Sequence, residues 1–224
     1  MNDSIDAEQP PLVRSKQGQI ARAWIEKTIV SGRIDREQGP HRLGAALWSP
    51  QKSTNGGDIY ANMRNVLPGD IVLHLTDNLG ITGTSRVTSQ VDDSFRGVDG
   101  SEWADRPGYR VQLEDYQPLT PPLSRAMFFD DPEVAEQLKQ ISAPPRSGGL
   151  FFNGSMELRQ GAYLTEASPA LFKILNNAYR KHTGSEIPGV PASLVAASNL
   201  IPDANRSSFS NVTTITGEDI SLLR

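Results

Sequence analysis

The chain has 224 residues, a formal net charge of −4 and 37% hydrophobic content, enough for one good-sized domain with extensions or two small ones. It contains no cysteine and three scattered histidines, His41, His74 and His182, which excludes disulfides and thiolate metal sites and argues against a histidine metal centre. No run of about 18 apolar residues offers a membrane span. The N-terminal stretch lacks the basic and apolar regions of a secretory signal, so a cytoplasmic location is expected. The acidic excess lies at the ends: residues 14–200 hold 20 Lys+Arg and 20 Asp+Glu. Sixteen of the 22 basic residues are Arg. Arg binds phosphate bidentately and stacks on bases, although a GC-rich coding sequence also produces this bias.

Residues 1–14 are polar and acidic and read as disordered. Residues 17–31 place Ile20, Ala23, Trp24, Lys27, Thr28 and Val30 near one face of a helix that Gly32 ends, with Trp24 in the core. The run from Gly44 to Trp48 reads as a strand closing at Ser49-Pro50, and 51–57 as a glycine-bearing loop. Asp58 is the expected N-cap of a short helix to Val66, with Ile59, Met63 and Val66 as its buried stripe. Leu67-Pro68-Gly69-Asp70 is a type II turn signal. A strand follows over 70–76, a turn at Asp77–Gly80, and a second strand over 81–91, in which Gly83 suits a bulge or close backbone approach. A third strand covers 109–113.

Between these last two strands lies 92–108, long and acidic, carrying Phe95 and Trp103. Loops of that length are functional or disordered, and two large aromatics favour function. Pro118, Pro121 and Pro122 mark a turn before helical patterns at 124–129 and 132–141. Ser168 caps a helix that opens on Pro169, buries Leu171, Ile174, Leu175 and Ala178, and stops at Gly184. Residues from 187 onward turn Pro-, Ser- and Asn-rich and read as a tail or linker.

No catalytic constellation emerges. Asp92-Asp93 and Asp130-Asp131 are adjacent carboxylates, which on a strand point to opposite faces. There is no nucleophile elbow, zinc-protease helix, phosphate-binding loop or nuclease motif. The expectation is a non-enzymatic binding module without cofactor or metal. Trp48 ends a strand and Trp103 sits in the long loop; two indoles from different segments can sandwich a planar base. Each also has a plain packing role open to it, Trp48 in the barrel core and Trp103 as a loop anchor. Tyr60 is equally suited to packing or to a cage. His74 reads as a satisfied core or rim histidine.

The segment Leu47-Trp48-Ser49 to Asp58-Ile59-Tyr60-Ala61-Asn62-Met63-Arg64 resembles YTH domains, where a cage Trp precedes a short loop and a helix. The next block resembles EVE domains: Arg64, the turn at 67–70, His74 on a strand, Gly80-Ile81-Thr82-Gly83, and Trp103 shortly before Tyr109-Arg110-Val111. Both families belong to the PUA-like superfamily, and the similarity spans about residues 43–125. Residues 153–184 resemble the extension on EVE-type specificity modules of McrBC-like restriction systems. The resemblance implies an α+β fold: a curved, barrel-like mixed sheet flanked by helices, with a C-terminal helical extension. The implied organisation is 1–14 disordered, 15–145 the base-binding domain with its leading helix, 146–186 the extension and 187–224 a tail.

The implied function is to read DNA carrying a modified base, a methylated cytosine or adenine, flipped into an aromatic pocket. A partner NTPase or nuclease in a defence system would supply any cleavage. Trp48, Trp103 and Tyr60 would line the pocket, and Ser49, Asn55 and Asp58 would bond the base edge. Arg64, Arg86, Arg96 and Arg106 would hold phosphates, which position a duplex without specifying sequence. Reading of modified RNA or tRNA, or an adaptor role, are the alternatives.

Overall fold

The computed structural model describes residues 21–142 and 149–200. Six strands form one mixed sheet: β1 (Ala23–Thr28), β2 (Ala46–Pro50), β3 (Ile71–Thr76), β4 (Gly80–Val87), β5 (Gly108–Ser124) and β6 (Leu164–Ala167), in the order β2-β5-β4-β3-β1-β6. Only β1 and β3 run parallel, in register from Ala23 opposite Ile71 to Thr28 opposite Thr76. The helices are α1 (Ile34–Glu37), α2 (Pro132–Ser142), α3 (Pro169–Thr183) and α4 (Ala192–Asn199), with short 3₁₀ turns at Gly39–His41 and Ala61–Asn65.

The sheet curls until its two edges meet. The Trp48 backbone N–H on β2 donates to the Tyr163 hydroxyl just before β6 at 3.1 Å. Leu47 and Leu164 share one apolar cluster with Trp24, Val72, Val111 and Leu113. That cluster fills the concave side. The larger core lies on the convex side, where Ile25, Leu73 and Ile81 pack against Phe128, Leu138, Leu171, Phe172 and Leu175. The α+β class and the curled mixed sheet with flanking helices are those the PUA-like resemblance implies.

Residues 23–28 form a strand, not the helix expected over 17–31. Every residue of β1 except Lys27 is buried, because Ala23 and Ile25 face the helices while Trp24 faces the barrel interior. A strand buried on both faces loses the polar alternation that announces it. Trp24 is nevertheless core, its Nε1–H donating to buried Asp70 at 2.8 Å.

The helix expected from Asp58 is a single 3₁₀ turn from Ala61 with no side-chain cap. Met63 and Val66 are buried as expected, but Ile59 is exposed. The turn at 67–70 closes with Asp70 N–H on the Leu67 carbonyl at 3.0 Å. Gly83 sits at an irregularity between β4 and β5; a Cβ there would lie 2.5 Å from the Tyr116 ring. The prolines at 118, 121 and 122 lie within β5, which runs through to Ser124 in place of the expected turn.

Ser168 caps α3 by accepting the Leu171 N–H at 3.2 Å, Pro169 opens it, and Gly184 ends it in the left-handed conformation. The C-terminal segment packs on the sheet through the convex core, with Phe151, Phe152, Leu171 and Phe172 among its members. Residues 187–200 depart from the tail expected for them. Ile187 and Leu194 are buried, Ile187 N–H donates to Asn176, and Thr84 Oγ1 donates to the Pro188 carbonyl at 2.7 Å. The expected disordered N-terminus and residues 201–224 lie outside the described residues. Among the described residues no helix is long and apolar enough to cross a membrane.

Candidate nucleic-acid interface

The barrel interior holds a charged network. Glu26 on β1 is fully buried. It accepts from Arg36 Nη2 at 2.7 Å and from the Tyr163 hydroxyl at 3.1 Å, and its other oxygen meets His74 Nδ1 at 2.7 Å. His74 Nε2 lies 2.8 Å from Ser85 Oγ, so His74 is a satisfied core histidine. Burial pushes the Glu26 carboxyl up, but the Arg36 charge and the bonds from His74 and Tyr163 outweigh it and hold the group below its ordinary value. Burial, then the Glu26 charge, pushes the Tyr163 phenol well above the usual range. Arg36 also donates to the carbonyls of His41 and Ala46. The network thus ties β1, β3, β4, α1 and the start of β2 together behind Trp48.

In front of it a cavity of about 300 Å³ opens at one end of the barrel. Its lining includes Trp48, Ser49, Tyr60, Trp103 and Tyr163, with Lys27, Arg33 and Arg36. The two Trp residues, on separate segments, therefore border one space. Trp48 is 5% exposed. Its indole N–H donates to Asp35 at 3.1 Å, the Arg33 guanidinium sits 5.4 Å from its ring centre, and Phe95 meets it edge-on at 6.3 Å. Tyr60 meets Tyr163 edge-on at 5.8 Å, so it both packs and lines the cavity.

Trp103 is half-buried and comes from the 92–108 loop, which is an ordered narrow ribbon. Reciprocal backbone bonds join Asp92 to Arg110, and further ones run from Gly97 to Arg106 and from Gly108 to Phe95. Asp92 also pairs with Arg110 at 2.9 Å. Two neighbouring spaces share Trp103: one of about 360 Å³ beside Gln51–Thr54 and Arg106, and a wider one of about 1110 Å³ between the 32–41 segment and the ribbon.

Two residues that line the 300 Å³ cavity each carry a buried polar atom without a protein partner. Ser49 Oγ is buried, the residue being 2% exposed, and Arg36 Nε is likewise buried; neither bonds another protein atom. An unpaired buried polar group costs roughly 1–3 kcal/mol, so both atoms carry an unmet hydrogen-bonding capacity in the fold.

The remaining expected residues are scattered. Asn55 and Asp58 are exposed and do not line this cavity. The 53–57 loop closes on itself through Ser53 and Gly57, and Asp58 is drawn to Arg64 at 2.7 Å. Arg64 also donates to the Tyr109 hydroxyl. Arg86 pairs with Glu114 and Asp115. Arg106 lies 5.3 Å over the Trp103 ring, and Arg96 lines the wide neighbouring space.

Lys27, Arg33, Arg36 and Tyr163 were not expected at the site. The contacts of Lys27 and Tyr163 cross more than 130 positions, to Arg159 and Glu26, whereas Arg33 and Arg36 bond residues within ten positions but sit in no recognisable motif. Among the described residues no group of three or more His, Asp or Glu is arranged to hold a metal.

No protein-family model matches the chain, and no curated protein matches it. Solved structures with a similar course include a Pseudomonas putida protein at 13% identity and TM-score 0.44, covering 70% of this chain and 99% of the other. The N-terminal domain of Staphylothermus marinus McrB is similar at 10% identity and TM-score 0.40, covering 71% and 95%. Human THYN1, solved with DNA containing 5-methylcytosine, is similar at 11% identity and TM-score 0.39, covering 70% and 98%.

Proposed function

We propose that this chain is a non-catalytic, EVE- or YTH-like reader of DNA carrying a modified base, a methylated cytosine or adenine. The observation that carries the reading is the cavity bordered by Trp48, Trp103, Tyr60 and Tyr163. Its volume is at the small end of ligand pockets, which run about 300–1,000 Å³. A base stacked in a duplex cannot reach such a space, so it must be extruded, at a cost of a few kcal/mol. Stacking returns roughly 1–3 kcal/mol per aromatic contact. Ser49 and Arg36 donate to acceptors on the base edge once the cavity wall opens around them. Arg96 and Arg106 take phosphates beside the ribbon; Arg64 and Arg86 do so by releasing their present carboxylate partners. Asn55 and Asp58 contribute only through movement of the 51–58 segment. A restriction or defence setting, with an NTPase or nuclease partner acting in the cytoplasm, follows from the sequence resemblance.

The test is titration of matched oligonucleotides at one fixed salt: DNA and RNA, each modified and plain. The reading expects a preference for modified DNA, lost in Trp103→Ala and reduced in Ser49→Ala. Removing the stack weakens modified DNA by roughly 5- to 150-fold, from about 1–3 kcal/mol. Equal weak binding to all four probes overturns it, and a preference for modified RNA replaces DNA with RNA.

A further inference from the structure

A second, polar groove of about 690 Å³ lies beside the aromatic cavity, on the face built by the C-terminal segment. Its lining includes Lys27, Asn78, Arg125, Asn153, Glu157 and Arg159. Lys27 lines both spaces.

Among the described residues, three cations without a carboxylate partner share this groove. Arg22, Arg33, Arg36, Arg64, Arg86, Arg110 and Lys181 each pair with a carboxylate. Lys27, Arg125 and Arg159 do not, among the described residues. Lys27 donates to the Arg159 carbonyl at 2.7 Å. The Arg125 and Arg159 side chains make long bonds of 3.4 Å, to the carbonyls of Asn78 and Leu150, and the Arg125 guanidinium lies 5.8 Å from the Phe129 ring centre. Glu157 lies among them, but it accepts from the Asn153 amide at 3.1 Å rather than from any of the three cations. Each cation therefore keeps donors free.

We propose that this groove binds the phosphodiester backbone of the nucleic acid whose base enters the aromatic cavity, with Arg125 and Arg159 as the phosphate contacts and Lys27 at the junction. The inference rests on the reader function proposed above and extends it to residues outside the expected phosphate set. Lys27 is the physical link: a base in one space and a phosphate in the other would be one side chain apart, as they are within one nucleotide. Burial lowers the Lys27 ammonium from its ordinary value, and a phosphate beside it offsets that desolvation. The fork geometry of Arg suits phosphate, and both guanidinium groups are exposed, so they are reachable without rearranging the core.

Arg125→Gln, Arg159→Gln and the double variant test this, with Arg180→Gln, at an exposed position of α3, as a control for lost charge. Modified and plain duplexes are titrated from low to high salt, and inorganic phosphate is tested at matched ionic strength. Each groove substitution should reduce the steepness of log K against log salt by about 0.9, and the double by about 2. Affinity should fall equally for modified and plain DNA, leaving their ratio unchanged, as phosphate contacts dictate. The control should leave the slope where it was. Unchanged slopes in the groove variants overturn the inference even where Trp103→Ala still abolishes the modified-base preference, which keeps the two proposals separable. A response to inorganic phosphate without any change in DNA slope overturns it in favour of a small-anion site. Absence of nucleic-acid binding overturns both.

Discussion

Replacing Glu26 by Gln probes the network that stands behind the aromatic cavity. Glu26 is wholly buried and, among the described residues, is the only carboxylate bonded to Arg36, which is itself 2% exposed. The carbonyls of His41 and Ala46 would still accept from Arg36, but carbonyl dipoles do not neutralise a guanidinium. Glu26→Gln therefore leaves a full charge inside the barrel without a counter-ion. Breaking a buried pair in this way costs about 3–5 kcal/mol, a large part of the ~5–15 kcal/mol that stabilises a typical domain. At this chain length the melting temperature should fall by roughly 6–20 °C.

Urea denaturation followed by tryptophan fluorescence measures the loss, with Trp24 and Trp48 on either side of the network as reporters. Arg36→Met supplies the second arm. The double variant removes both charges, and its loss should be smaller than the sum of the two singles by roughly 0.5–3 kcal/mol. A Glu26→Gln cost under about 1 kcal/mol, or simple additivity in the double, would show that the pair is not coupled in the folded protein.

Acid should unfold the protein partly through the same group. Because Glu26 is held below its ordinary value of 4.5 in the fold, its contribution is complete above that value and is lost as pH falls through the folded-state value. Asp77, Asp92 and Asp131 are also lowered, so they act in the same direction below about 3.8. Stability measured across pH 3–6 should decline more gently in Glu26→Gln than in the wild type; equal slopes contradict the assignment. Ser168→Ala removes the cap of α3 and should cost about 1 kcal/mol in urea melts, whereas Ser168→Asn should cost almost nothing. Gly83→Ala drives a methyl group to 2.5 Å from the Tyr116 ring and should destabilise by about 1–3 kcal/mol, with Tyr116→Ala in the same chain restoring most of the loss.

The parts of the fold legible in the sequence are those set by local chemistry. Ser168, Pro169 and Gly184 bracket α3 because each satisfies or ends a backbone requirement within one turn. The Leu67–Asp70 turn and the strand after it are local in the same sense. Residues 23–28 were misread because Trp24 and Ile25 are buried on opposite faces, leaving no periodic contrast. The prolines of β5 suggested a break, yet the strand carries them along its length. At the site, Trp48, Ser49, Tyr60 and Trp103 could be singled out because large aromatics beside loops stand out in the sequence. Asn55 and Asp58 could not be placed correctly, since their outcome turns on a self-closing loop and an ion pair with Arg64. Tyr163 reaches the cavity through a contact with Glu26 far back along the chain, which no window of sequence contains.

Strand β1 owes one of its two neighbours to the far end of the chain: Ala23 pairs with Ala167, and Glu26 with Leu164. During synthesis β3, β4 and β5 can zip together as soon as they emerge, while β6 is still unmade. Until then β1 presents a bare row of amides and carbonyls along an apolar ribbon, the kind of margin on which strands of other molecules accrete. A nascent or truncated chain stopping short of residue 164 should therefore be prone to clumping, and the four residues of β6 are the cover that β1 waits for.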